Sequence, residues 1–315
     1  MESDCAMLIW QHKTNFTQLL TMSQEITQQY QVLLFYKYID IPDPEQFAIQ
    51  QRAWCDELNL TGRTLVSKEG INSTLEGTLA NTQEYIKRLS AKTGFHDIHW
   101  KKSIGTGTSF NKLSIKVRDE IVATNVSEKN TLGPHRNLTG QYLEPSQLNK
   151  WINSDKKFYI VDMRNDYEHQ VGHFSGSILP TELKNFRDLP KILPSISHLK
   201  DCTIVTVCTG GIRCEKASGF LLKHGFKDVY QLQGGIVSYM EQFPNQDFVG
   251  KLYVFDGRML VGYNTDSDEH TIIGKCQICG AKSENIVDYT LTNCTQRCHG
   301  IICQECISED KVVIS

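Results

Sequence analysis

The sequence predicts three units in tandem: an α+β unit, an α/β unit with a mainly parallel sheet, and a small cysteine-rich module. Three observations carry this. Residues 31 to 125 alternate strand and helix patterns in the order βαββαβ, the arrangement of a split βαβ unit. Over 141–246 strands again alternate with helices, which implies a parallel sheet covered on both faces. Six of the eleven cysteines fall in the last forty residues: Cys276, Cys279, Cys294, Cys298, Cys303 and Cys306. A chain of 315 residues has room for two domains and a small module.

Bulk composition narrows the function classes. A hydrophobic fraction of 40% and a charged fraction of 22% are those of a globular protein. The net charge of −3 gives no global pull toward nucleic acid, so any RNA contact must come from a local patch. No apolar stretch approaches a membrane span, and no partner membrane is expected. The N-terminus lacks a charged segment followed by an apolar core, so the expected location is cytoplasmic and structural disulfides are not expected. Residues 1–28 lack periodicity and read as an N-terminal extension, with Met22 as an alternative start. Cys5, Cys55 and Cys202 are scattered and read as small hydrophobes.

The first domain spans 29–125. Val32–Tyr38 is a strand, and Pro42-Asp43-Pro44-Glu45 opens a helix through Leu58. Arg63–Ser67 is a second strand, Glu69–Asn72 a turn, and Ser73–Gly77 an antiparallel return. Thr82–Lys92 is a helix, and Ile98–Lys101 and Leu113–Val117 add strands. Between 87 and 118 lie eight basic residues, Lys101, Lys102 and Lys112 among them, and a single acid, Asp97. Such a stretch around Trp100 suits an RNA backbone with a stackable base, or else is a solvated face.

Residues 126–140 read as a linker rich in Asn, Gly and Pro. The second domain, 141–246, opens with a helix at Pro145 and a strand at Phe158–Asp162. Its centre is Cys208-Thr209-Gly210-Gly211-Ile212-Arg213, between the apolar strand Thr203–Val207 and a helix that Gly225 ends. A cysteine at a helix N-terminus meets N–H groups and a dipole that favour an anion, so Cys208 is poised as a thiolate nucleophile. Gly210 and Gly211 let successive N–H groups turn inward. Arg213 closes the loop and either holds an anion or ties the loop down. The loop is one residue shorter than a phosphate-cleaving C-x5-R loop, which disfavours phosphatase chemistry and suits a smaller group such as one extra sulfur.

This six-residue loop resembles the active loop of rhodanese domains, which carry a cysteine persulfide. Its longer form, Cys208 through Ala217, resembles the oxygen-dependent tRNA uridine-34 hydroxylases, a rhodanese-containing family. Ser67-Lys68-Glu69-Gly70-Ile71-Asn72-Ser73-Thr74 resembles that family's ferredoxin/acylphosphatase-like N-terminal domain. Asp162, Arg164 and Glu168, then Gly172, His173, Gly176 and Ser177, match rhodanese elements that usually brace the fold, and Asp256-Gly257-Arg258 resembles the family's element after that domain. The resemblance implies hydroxylation of the wobble uridine of tRNA to 5-hydroxyuridine. It also implies molecular oxygen as co-substrate with an electron donor the sequence does not name, and Cys208 as the essential residue. The loop alone predicts the alternative, a sulfurtransferase acting through a Cys208 persulfide.

The last region, 247–315, opens with a hairpin around Asp256-Gly257. Cys276-x-x-Cys279 and Cys303-x-x-Cys306 then supply four thiolates in the pattern of a closed, structural zinc site. Cys294, Cys298 and His299 lie between them and could join a second site or replace a ligand.

Overall fold

A computed structural model describes residues 29–292 and 296–314. The expected extension and Cys294 lie outside the described residues.

The N-terminal unit is built on a five-stranded sheet of order β4-β1-β3-β2-β5. Its strands are β1 (Tyr30–Tyr38), β2 (Thr61–Ser67), β3 (Gly70–Thr78), β4 (Lys101–Gly105) and β5 (Leu113–Val117). The first four pair antiparallel, and β5 lies parallel to β2. Helix α1 (Pro44–Glu57) begins where the Asp43 carboxylate accepts from the Gln46 N–H at 2.9 Å. Helix α2 (Leu79–Ser90) begins three residues before the expected Thr82, because the cap is Thr78, whose Oγ1 accepts from the Asn81 N–H. Both helices cover one face, where Leu33, Phe35, Val66, Ile71, Leu75, Tyr85 and Leu89 form the core. The strand expected at Ile98 begins instead at Lys101, since Ile98 and Trp100 turn into that core. The β2–β3 turn is Lys68-Glu69, tighter than expected. Gly70 there has φ +144, and a Cβ would come within 2.0 Å of the Lys37 carbonyl oxygen.

The middle unit has a four-stranded parallel sheet of order β6-β10-β9-β7. These are β6 (Gln141–Leu143), β7 (Tyr159–Asp162), β9 (Thr203–Val207) and β10 (Asp228–Leu232), while β8 (Gly172–Phe174) pairs with β11 (Phe248–Gly250). Alternation along β9 sends Ile204 into one core with Leu189, Ala217 and Phe220. Val205 and Val207 enter the other, with Ile236 and Tyr239. Helix α3 (Pro145–Ile152) follows β6, α4 (Ile212–Lys223) follows β9, and α5 (Gly235–Gln242) follows β10. The 126–140 segment is more than a tether: Val126 and Leu132 are buried in the first of these cores.

The third region carries the short hairpin β12 (Leu252–Tyr253) and β13 (Leu260–Val261). A sheet of order β15-β14-β16 follows, formed by Ile286–Leu291 (β14), Arg297–Ile301 (β15) and Val312–Ile314 (β16), with the short helix α6 (Gln304–Ser308). Among the described residues no helix is long and apolar enough to cross a membrane.

The uncovered face of the N-terminal sheet lies on the middle unit. Lys216 of α4, fully buried, bonds Glu69 at 2.8 Å and Glu120 at 2.7 Å. The Tyr36 hydroxyl donates to Glu215 at 2.9 Å. Arg258 donates to Ser103 Oγ and the Ile104 carbonyl, and the Gly257 N–H to the Ser109 carbonyl at 2.7 Å.

Candidate active site

Cys208 leaves the C-terminal end of β9, where parallel sheets bind ligands. Its thiol is fully buried, and its sulfur accepts the Gly211 N–H at 3.2 Å. Burial alone would push the thiol pKa up. The Cys214 thiol, the Arg213 charge and the N–H groups of Cys214 and Arg213 outweigh it, and bring the value down to about 6. Cys214, buried beside it, is pushed up by burial and by the neighbouring Cys208. The two shifts run in opposite directions and favour the anion on Cys208 over Cys214.

Each loop residue has a separate task. Arg213 forms a buried pair with Glu168 and donates to Thr209 Oγ1 at 3.2 Å, so its guanidinium ties the loop down. The first turn of α5 holds the other side: the Ile236 and Val237 N–H groups donate to the carbonyls of Cys208 and Thr209. Gly211 has φ +98, and Gly210 lies so close to β1 that a Cβ would stand 3.0 Å from Leu34 Cδ2. Glycine here serves the approach of a second domain as much as the turn itself.

That approach makes a cavity of about 410 Å3. Its floor is Cys208, Thr209, Gly210 and Ile212; its roof is Val32, Leu34, Tyr36, Leu65, Asn72, Thr74 and Lys101 from the N-terminal sheet. Val254, Phe255, Asp256, Arg258 and Tyr263 wall the third side, and Asn165, Asn185 and Arg187 a fourth. Arg63 and Arg187 are exposed on its lining with no side-chain partner among the described residues. A cavity of this size is in the range that takes a small molecule or one splayed-out nucleotide.

Family models match almost the whole described chain: an UPF0176 acylphosphatase like domain over 30–121, a Rhodanese-like domain over 144–242 and a Rhodanase C-terminal region over 249–315. The tRNA uridine(34) hydroxylase of Staphylococcus carnosus is 42% identical over 295 residues, covering 90% of this chain and 91% of that one. The chain belongs to the tRNA uridine(34) hydroxylase family. Proteins of the same name from Cytophaga hutchinsonii and Staphylococcus aureus are 38% and 45% identical, covering 88% and 85% of this chain and 86% and 83% of theirs.

The other expected site residues sort by position. Asp162 and Arg164 form a fully buried pair, and Arg164 Nη2 donates to the Gly172 carbonyl at 2.6 Å. His173 is bonded through Nδ1 to the His169 carbonyl. Lys101, Lys102 and Lys112 do not form one patch. Lys101 pairs with Leu34 and is buried on the cavity face. Lys102 pairs with Leu33 and is exposed, yet it also lines the cavity, while Lys112 precedes β5 at the far edge of the sheet. Sequence reasoning missed Tyr36, Asn72, Arg63, Arg187 and the Glu69–Lys216 pair as parts of the site. One signal was available: β1 is apolar on both faces, as a strand covered on both sides must be.

In the tail, the sulfurs of Cys276, Cys279, Cys303 and Cys306 all lie within 4.8 Å of one another and could hold a metal ion. Cys298 and His299 stand apart from this set. Cys298 Sγ lies on the Gln296 carbonyl, while His299 is bonded to Asp288 at 2.8 Å and to the Tyr253 hydroxyl at 3.2 Å.

Proposed function

We propose that this protein hydroxylates the wobble uridine, position 34, of tRNA to 5-hydroxyuridine, with molecular oxygen as co-substrate and Cys208 as the essential residue. The observation that carries the reading is the enclosure of the Cys208 thiolate under a second domain. A loop that only relays sulfur needs neither this roof nor an RNA-sized surface. The anticodon loop offers unstacked bases that can be splayed into such a cavity. Arg63 and Arg187, with no side-chain partner among the described residues, suit the flanking phosphates. The catalytic loop in this reading is Cys208, Thr209, Gly210, Gly211, Ile212 and Arg213, with Arg213 a positioning residue.

The four clustered cysteines suit zinc. Four thiolates about 2.3 Å from a tetrahedral zinc stand about 3.8 Å apart, and Cys279 and Cys303 are 3.5 Å apart. A closed site of this kind cross-links the tail and leaves no position for substrate.

The test is mass spectrometry of tRNA nucleosides from cells lacking the gene, complemented with wild type or with Cys208→Ser. The 5-hydroxyuridine-derived nucleosides should fall on deletion and return with wild type only. Full restoration by Cys208→Ser overturns the role of Cys208. Unchanged nucleosides on deletion would bring forward sulfur transfer through a Cys208 persulfide.

A further inference from the structure

Lys101 differs from the other basic residues of its segment. It is 5% exposed, whereas Lys102, Lys112 and Lys116 are exposed. Its Nζ stands 5.0 Å from the centre of the Tyr36 ring and lines the same cavity as Cys208. Among the described residues no hydrogen bond or ion pair engages it. The acids that act on it through space are Glu215 and Glu241. Glu215 is already bonded to Tyr36, Tyr142, Thr139 and Gln231, and Glu241 to Tyr263. A buried ammonium without a partner is costly, and a protein keeps one where a ligand completes it. Burial lowers the Lys101 pKa to about 8, with the Cys208 thiolate acting against the fall. An acid and a nucleophile thus line one cavity.

The chemistry of uracil says what they can do together. C5 becomes a nucleophile only when C6 takes on a nucleophile and the electron pair runs through C5 and C4 to O4. Resting on the proposed uridine reading, we propose that Lys101 is a catalytic residue, the acid that faces uracil O4 while the Cys208 sulfur adds to C6. The S–C6 bond forms and the C5–C6 π bond breaks. The pair shifts to C4–C5, the C4–O4 π pair moves onto O4, and a proton passes from Nζ to O4. The result is a covalent enol adduct and a neutral lysine; return of the proton and loss of the thiolate restore both partners. No oxidant is needed for this step. Lysine fits the role because its ammonium is a donor to O4 and its pKa lies near the working pH, so the amine left behind can take the proton back.

The adduct has a signature apart from hydroxylation. In heavy water without oxygen, C5 of the adduct takes a deuteron from solvent and gives its original proton up to solvent as the thiolate leaves, so the released uridine has exchanged its C5 hydrogen. We expect wild type to exchange it at position 34 of a tRNA transcript, read by mass spectrometry after nuclease digestion, and Cys208→Ser not to. Lys101→Met should slow exchange about 100-fold or more, with tRNA binding within twofold of wild type, and Lys101→Arg, which can hydrogen-bond O4 but cannot release a proton to it, should stay well below the wild-type rate. Removing an unpaired buried charge leaves the fold intact, which a thermal melt checks; Lys101→Gln serves if the Met variant does not fold. Exchange at the wild-type rate in Lys101→Met and Lys101→Gln overturns the role of Lys101, as does a tRNA affinity that falls in parallel with the rate. A wild type that hydroxylates position 34 in cells but never exchanges it overturns the addition step and leaves the hydroxylase reading standing. A wild type that does neither overturns both.

Discussion

Replacing Lys216 by methionine should uncouple the N-terminal sheet from the cysteine loop. The lysine is fully buried and holds two carboxylates, Glu69 at 2.8 Å and Glu120 at 2.7 Å. Methionine fills similar space and leaves both acids without their counter-charge. Breaking a buried pair in this way costs about 3–5 kcal/mol. The pH dependence has a definite sign. Burial, the largest influence, raises the Glu69 pKa even with Lys216 present; Lys216 opposes it, so its loss raises the value further. A carboxyl whose folded pKa is raised destabilises the fold as pH climbs above its unfolded value, about 4.3. The deficit of Lys216→Met against wild type should therefore be larger at pH 8 than at pH 5. Urea titrations of both proteins at the two pH values measure it, and the triple variant Glu69→Gln, Glu120→Gln, Lys216→Met should recover most of the loss. A deficit below about 1 kcal/mol, the range of an exposed pair, at both pH values would refute the claim that this buried pair holds the two units together.

Thiolate absorbance, taken as wild type minus Cys208→Ser, should appear with a midpoint near pH 6; a midpoint near the free-thiol value of about 8.5 would show that the loop does not stabilise the anion. Charge reversal at Arg63 or Arg187 should weaken tRNA binding and flatten its salt dependence by about one unit of slope each, while salt slopes equal to wild type would remove them from the RNA path. Metal analysis of the purified protein should give one zinc per chain, lost in Cys303→Ser together with the ordered tail; a zinc-free protein with an intact tail refutes the assignment. Gly211→Ala should cost about 1–2 kcal/mol in loop stability, because φ is +98 and the new Cβ meets the Tyr36 hydroxyl at 3.0 Å; unchanged stability and activity would show that the loop relaxes there.

What could be read from the sequence was the chemistry that is local in the chain. A strand, a cysteine, two glycines and a helix lie within 21 residues, and their order alone places a thiolate at a helix N-terminus. The two pairs of tail cysteines are legible for the same reason. What lies above the loop was not, because it depends on which face of a distant strand is turned inward. Lys101 and Lys102 are neighbours in sequence and both line the cavity, yet alternation along β4 buries one and leaves the other exposed. Glu69 and Lys216 both sit inside stretches that drew notice on their own, but 147 positions separate them and nothing in either stretch names the other. Arg213 could be read as an anion holder or a brace, and only Glu168 at its side decides for the brace.

The clasp of Asp256, Gly257 and Arg258 onto β4 and Ser109 has a bearing on how the protein is made. Arg258 follows Cys208 by fifty residues, an interval of about 3–10 s at typical rates of synthesis. The nascent chain therefore owns its reactive sulfur before it owns the third wall of the cavity, and that wall is the last part of the enclosure to leave the ribosome. A transcript cut short before that wall would yield a chain with the nucleophile present and one side of its chamber missing. The order of synthesis thus keeps this enzyme's chemistry waiting on its tail.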